Sequence, residues 1–269
     1  MSQALSLPLD LRWVDAGNAG PFTLEGTRSY IVGRRCVAVI DPGPALASHV
    51  AALAAEVAGA ESVVLLLTHG HPDHAGAAPA LAAKLGAGIL GAWSSGPGNG
   101  EPDSSGSSPG VSFRALGDRE AVDTDMGKLT ALSTPGHARD HLVFHWQDQR
   151  AVFVGDLLLG AGETTWVGGY SGCVADYLAS LDRVESLGAG VLLPAHGLPV
   201  FDPAARIGRY RAHRKARVAQ VERALAARPD AGVDELLTAV YRESIPEGLP
   251  AAARASLAAM IEYVKGGRG

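Results

Sequence analysis

Three histidines and an aspartate stand within six residues, at His69, His71, Asp73 and His74. Imidazole and carboxylate are the side chains that bind zinc and related divalent ions, and an imidazole cluster is costly unless it is bound. In extended backbone, residues two apart face the same way, so His69 and His71 can grip one ion. Pro72 then turns the chain and sends Asp73 and His74 toward a second. The competing reading is a polar loop with fortuitous histidines, and one such loop does not complete two sites.

Three further segments each end an apolar run with a donor. Thr134-Pro-Gly-His137 follows a run over 129–133, Gly155-Asp156 follows Ala151-Val-Phe-Val154, and Pro194-Ala-His196-Gly follows a run over 191–193. A His or Asp after a strand is common, so each alone is weak. Together they add His137, Asp156 and His196 to the candidate set. There is no G-x-S-x-G sequence, and neither of the two cysteines, Cys36 and Cys173, lies in a recognisable catalytic motif. Both fit small buried apolar groups, and a reducing, cytoplasmic setting follows from such sparse cysteine usage.

The donors need elements to hold them. Residues 29–33 and 36–40 read as a hairpin about Arg34-Arg35, and Asp41-Pro-Gly-Pro44 stops its second strand. Residues 45–57 have apolar groups three and four apart, as a helix requires. The continuous run 62–67 suits a strand buried on both faces, followed after the histidine loop by an alanine-rich helix to about residue 85. Strands are expected over 111–114, 128–133, 142–146, 151–154 and 191–193, with a helix over about 173–187. The stretch 94–110 is nearly devoid of apolar groups and reads as a mobile surface loop. Two successions of strands, each closed by helices, predict two sheets face to face with helices outside. From residue 203 the pattern is helix only, over 204–228, 233–241 and 251–264.

The strings THGHPDHAGA at 68–77, TPGH at 134–137, GD at 155–156 and PAHG at 194–197 resemble the metallo-β-lactamase-fold hydrolases in order and spacing. The resemblance covers about residues 20–202 and implies an α+β fold, a four-layer αβ/βα sandwich with a dinuclear site at one edge of the sheets. By that resemblance His69, His71 and His137 hold a first ion, Asp73, His74 and His196 a second, and Asp156 bridges them. The ions are expected to be two divalent metals per chain, zinc first, with manganese or iron open. Two such ions can share a hydroxide, lower its pKa toward neutrality and polarise a scissile group, with Asp73 and Asp156 as the catalytic carboxylates. The bridging Asp156 separates the chain from true β-lactamases, and His71 stands where flavin-linked di-iron reductases carry glutamate. The full second-site set separates it from mononuclear persulfide dioxygenases. His141, four residues after His137, resembles a position often found near this family's ligands and is a candidate for supporting them. His49 and His145 read as structural.

The tail extends the resemblance to a branch with a winged-helix-like C-terminal domain, which includes the mitochondrial lactamase-like endoribonuclease and fungal carrier-protein thioesterases. That divides the chain into a catalytic domain over 1–202 and a helical domain over 203–269. The first carries 11 basic and 21 acidic residues and the second 12 and 7, net −10 against +5. Arg206, Arg209, Arg211, Arg214, Lys215, Arg217 and Arg223, with His213 among them, cannot all lie on one helical stripe, so some must dock on the acidic body. Hydrolysis of an ester or thioester of a small or carrier-linked acyl group is the function expected. Cleavage of single-stranded RNA is the alternative, and non-catalytic metal or nucleic-acid binding a remote one. No apolar run approaches the roughly 20 residues of a membrane span, and composition (47% hydrophobic, 19% charged) excludes a disordered chain.

Overall fold

The computed structural model describes residues 7–8, 10–92, 111–241 and 250–266. The N-terminal half lays down β1 (Arg12–Asp15), β2 (Arg28–Val32), β3 (Cys36–Ile40), α1 (Ala47–Glu56), β4 (Ser62–Leu66), α2 (Pro72–Ala75), α3 (Ala78–Leu85), β5 (Gly88–Gly91) and β6 (Phe113–Ala115). Its six strands form one sheet in sequence order, antiparallel from β1 to β3 and parallel from β3 to β6. The second half adds β7 (Ala121–Thr124), β8 (Gly127–Ser133), β9 (Leu142–Trp146), β10 (Ala151–Gly155), α4 (Cys173–Glu185) and β11 (Val191–Pro194). These strands make a second sheet in the order β11-β10-β9-β8-β7, parallel only between β10 and β11.

Burial on both faces explains the continuous apolar runs. Along β3, Ala38 and Ile40 face the opposite sheet, where Phe144, Phe153 and Leu193 meet them. The alternate residues Val37 and Val39 face α1 and α3, against Leu53, Leu81 and Ala82. Tyr30 and Phe153 close the inter-sheet core edge to face, ring centroids 5.2 Å apart. The outer face of the second sheet packs Val143, Val152 and Leu192 on Tyr177 and Leu181 of α4. The α+β sandwich expected from the sequence is therefore present, and no helix among the described residues is long and apolar enough to cross a membrane.

Three helices follow: α5 (Pro203–Ala227), α6 (Val233–Tyr241) and α7 (Pro250–Lys265). Asp202 caps α5, accepting from the Ala205 N–H at 3.1 Å, and Pro203 occupies the first turn. Ile207, Tyr210, Val218 and Val221 enter the same apolar cluster as α4, joined by Leu236 of α6 and by Leu257 and Met260 of α7. Arg211 fixes α5 to α4 through Asp182 at 2.8 Å and Glu185 at 2.7 Å. The tail thus docks on the sandwich.

Three details differ from expectation, and one expectation falls outside the described residues. Strands β1, β5 and β7 carry weak signals, since β5 begins and ends in glycine and β7 is half polar. The helix expected after the histidine loop is α3, and a further short helix, α2, forms within the loop itself. Between the two the Gly76 backbone lies so close that a Cβ would strike the Pro72 carbonyl. Cys36 is half-buried rather than buried, while Cys173 is enclosed. The 94–110 segment lies outside the described residues.

Candidate metal centre

All seven candidate ligands come from segments that leave the C-terminal ends of strands. His69 follows β4, His71 caps α2, and Asp73 and His74 form the first turn of that helix. His137 lies between β8 and β9, Asp156 directly follows β10, and His196 follows β11. His69 Nε2 and His137 Nε2 approach His71 Nδ1 to 2.9 and 3.0 Å. Nearby, His196 Nε2 stands 3.3 Å from Asp73 Oδ2 and 3.3 Å from Asp156 Oδ1. His74 Nε2 lies 3.5 Å from Asp73 Oδ2 and 3.4 Å from Asp156 Oδ1. Asp156 reaches the other group too, its Oδ2 3.6 Å from His137 Nε2. Three sets, His69/His71/His137, His69/His74/Asp156 and Asp73/His74/His196, each have ligand atoms within 4.8 Å of one another.

Protein partners fix which nitrogen faces inward. His74 Nδ1 donates to Asp41 Oδ2 at 2.9 Å, His137 Nδ1 to the Trp166 carbonyl at 2.9 Å, and His196 Nδ1 to the Gly26 carbonyl at 3.1 Å. Thr68 gives its hydroxyl proton to Asp41 Oδ2 at 2.7 Å, so its oxygen accepts from His69 Nδ1 at 3.0 Å. Each of these four rings is left with its Nε2 aimed at the cluster. His74 Nε2, His196 Nε2 and Asp156 Oδ1 are buried and make no hydrogen bond. Buried polar atoms converging without partners are what a bound cation would satisfy. No metal ion is present, and the donor set, five imidazoles and two carboxylates, fits borderline divalent ions.

Electrostatics divide the site. Burial drives the His137 imidazole down to about 4 and His69 well below its ordinary range, so both are neutral bases. Burial opposes charge on His74 as well, but Asp156 and then Asp41 raise it well above the usual value. Asp156, also opposed by burial, is held far below the carboxylate range by His74 and His196. The carboxylates therefore favour positive charge at the second group, which a divalent cation would also supply.

His141 lies beside Asp156, one of the candidate ligands. It is fully buried, with Nδ1 2.9 Å from Thr134 Oγ1, and Nε2 accepts the Asp156 backbone N–H at 3.3 Å. His49 is buried against Ser29 Oγ at 2.9 Å, a structural contact. His145 is half-buried on β9, and His213 is half-buried on α5 away from the ligands. Sequence reasoning missed Asp41, which orients His74 and, through Thr68, His69. It sits at φ 50°, a left-handed conformation, and accepts the Thr68 N–H at 2.8 Å. Asp41-Pro-Gly-Pro44 reads as a turn that ends a strand, which hides the carboxylate's second role.

The sequence model of the metallo-beta-lactamase superfamily matches residues 23–196. An atrochrysone carboxyl ACP thioesterase of Aspergillus chevalieri is 32% identical over 86% of this chain and 73% of its own length. A beta-lactamase-like protein 2 homolog of Caenorhabditis elegans is 30% identical over 84% of this chain and 75% of its own. Among solved structures, a metallo-beta-lactamase family protein from Thermus thermophilus superposes with a TM-score of 0.75 at 25% identity, covering 95% of this chain and 93% of that one. With its fold and its converging His/Asp donors, this chain belongs to the metallo-beta-lactamase superfamily and is a hydrolase of that superfamily.

Proposed function

We propose that the chain is a dinuclear metal-dependent hydrolase of thioesters, acting on a small or carrier-linked acyl group. The observation that carries this reading is the Asp156 carboxylate, whose Oδ1 faces His74 and His196 while Oδ2 faces His137. His69, His71 and His137 would hold one ion, Asp73, His74 and His196 the other, and Asp156 both. Zinc suits the donors best, with manganese or iron as substitutes. When bound, the ions supply Lewis acidity toward a carbonyl oxygen and make water nucleophilic near neutral pH.

The chain's own groups do the rest. Asp73 is the more open carboxylate, its side chain 28% exposed against 10% for Asp156, so it is placed to take the proton of the attacking water. A C–O bond forms at the acyl carbon, the C–S bond breaks, and the proton taken by Asp73 passes to the leaving thiolate, which departs as a thiol. Two exposed apolar side chains lie close in sequence to the segments around His196: Phe22, in the turn closed by the Gly20–Leu24 bridge, and Leu198, two residues after His196. They offer an apolar acyl chain a surface, and the similarity to an ACP thioesterase supports the same class. RNA cleavage has less support, because Arg206, Arg211, Arg214 and Arg217 are bonded within the protein. The two unpaired cysteines support a reducing, cytoplasmic setting.

The test is a panel of acyl-thioesters, lactones, phosphodiesters and single-stranded RNA offered to apoprotein reconstituted with zinc. Metal-dependent thioester turnover well above the other substrates is expected. Efficient RNA cleavage without thioester turnover would replace this reading.

A further inference from the structure

We propose that Arg214 is a positioning residue for the metal centre, holding His137 in its orientation through the 164–166 strap. This rests on the assignment of His137 as a ligand. The inward stripe of α5 runs Ile207, Tyr210, Arg214, Val218, Val221, Leu225, and Arg214 is its one charge. The residue is 4% exposed, no carboxylate pairs with it among the described residues, and its Nε makes no hydrogen bond. A guanidinium so placed loses hydration with no counter-ion to offset the loss, and an apolar residue would fill the stripe at lower cost.

What the guanidinium does provide is donors. Arg214 Nη2 donates to the Thr165 carbonyl at 2.9 Å and lies 3.4 Å from Thr164 Oγ1, while the group rests 5.4 Å from the Tyr177 ring centre. The next carbonyl along, that of Trp166, accepts from His137 Nδ1, and Thr165 Oγ1 lies 3.4 Å from the same nitrogen. On its other side the strap is pinned to α7, where the Trp166 indole N–H donates to the Ala252 carbonyl at 3.2 Å. Gly168 lies so close that a Cβ would come within 2.7 Å of the Ala255 and Ser256 backbone. Residues 160–169 contain no helix or strand to hold them, so the clamp between α5 and α7 sets where these carbonyls point. A planar guanidinium fixes the direction of its bonds in a way that a lysine ammonium does not.

The experiment compares Arg214→Met, Arg214→Lys and Trp166→Phe with Arg211→Gln, a surface variant on the same helix, and with His137→Ala. Zinc affinity is read by chelator competition, folding by circular dichroism, and ligand geometry by the absorption of the cobalt-substituted protein. Arg214→Met should remain folded, bind one of two ions at least roughly 10-fold more weakly, and alter the cobalt spectrum. On a turned-over substrate kcat should fall with KM nearly unchanged. Trp166→Phe and Arg214→Lys should move the same way by less, and Arg211→Gln not at all. Wild-type affinity for both ions in folded Arg214→Met overturns the inference. If that variant does not fold, unchanged affinity in both Trp166→Phe and Arg214→Lys overturns it. His137→Ala separates the two failures. Unchanged zinc binding there removes the ligand assignment and the inference with it, whereas loss of an ion there but not in the Arg214 variants removes the inference alone.

Discussion

The two ends of the ligand set are held in different ways. His69 and His74 are oriented by their own half of the chain, through Asp41 at the end of β3 and Thr68 beside the histidine loop. His137 is oriented by a backbone carbonyl on a strap that helices α5 and α7 hold in place. The first arrangement concentrates its dependence on one side chain. The second spreads it over weak contacts that reach the C-terminal end of the chain. Among the residues that orient the donors, a single substitution should therefore do most harm at Asp41, and the tail should matter to the site without supplying a ligand.

Among these supports the largest effect is expected from Asp41→Ala. It strips acceptors from the Thr68 N–H, the Thr68 hydroxyl and His74 Nδ1, all buried. Each orphaned group costs about 1–3 kcal/mol. Metal affinity should drop by roughly 100-fold, the upper end for a lost support. Thermal melts and chelator competition measure both, and near-normal zinc binding would break the contrast drawn between the two ends. His141→Phe comes next. It keeps an aromatic ring, somewhat larger, but removes the acceptor of the Asp156 N–H, so affinity should fall roughly 10-fold while the protein stays folded. An unchanged affinity would make His141 a packing residue only. Smallest is Arg211→Gln, which breaks the half-exposed pairs to Asp182 and Glu185. Stability should change by at most about 1 kcal/mol and zinc binding not at all. A shift in metal affinity there would show that general docking of the tail, rather than the clamp on the strap, governs the site.

The seven donors were legible because each follows an apolar run that can only be a buried strand. Their types report the chemistry, and the turn after each strand reports the place. The supports were legible only in part. His141 carries a side-chain signal four residues from His137, and Asp41 carries one disguised as turn chemistry. The Trp166 carbonyl carries none, because every residue type has a carbonyl and only the strap's path decides where it points. Arg214 lay within reach, since its i, i+3, i+4 spacing from Ile207, Tyr210 and Val218 puts it in the apolar stripe. Read as one of seven basic residues, it is not told apart from those expected to dock on acidic partners. Short strands such as β5 and β7 were missed because their pairing partners, not their own residues, make them strands.

The central claim is that one carboxylate joins two ions, and counting bound metal tests it most directly. Zinc per chain should be measured after saturation and removal of free metal, in the wild type and in Asp156→Ala. Two ions in the wild type, with one or none retained in the variant and activity lost alongside, is the result this account predicts. A wild type that saturates at a single ion, or an Asp156→Ala protein that keeps two with full activity, would contradict it.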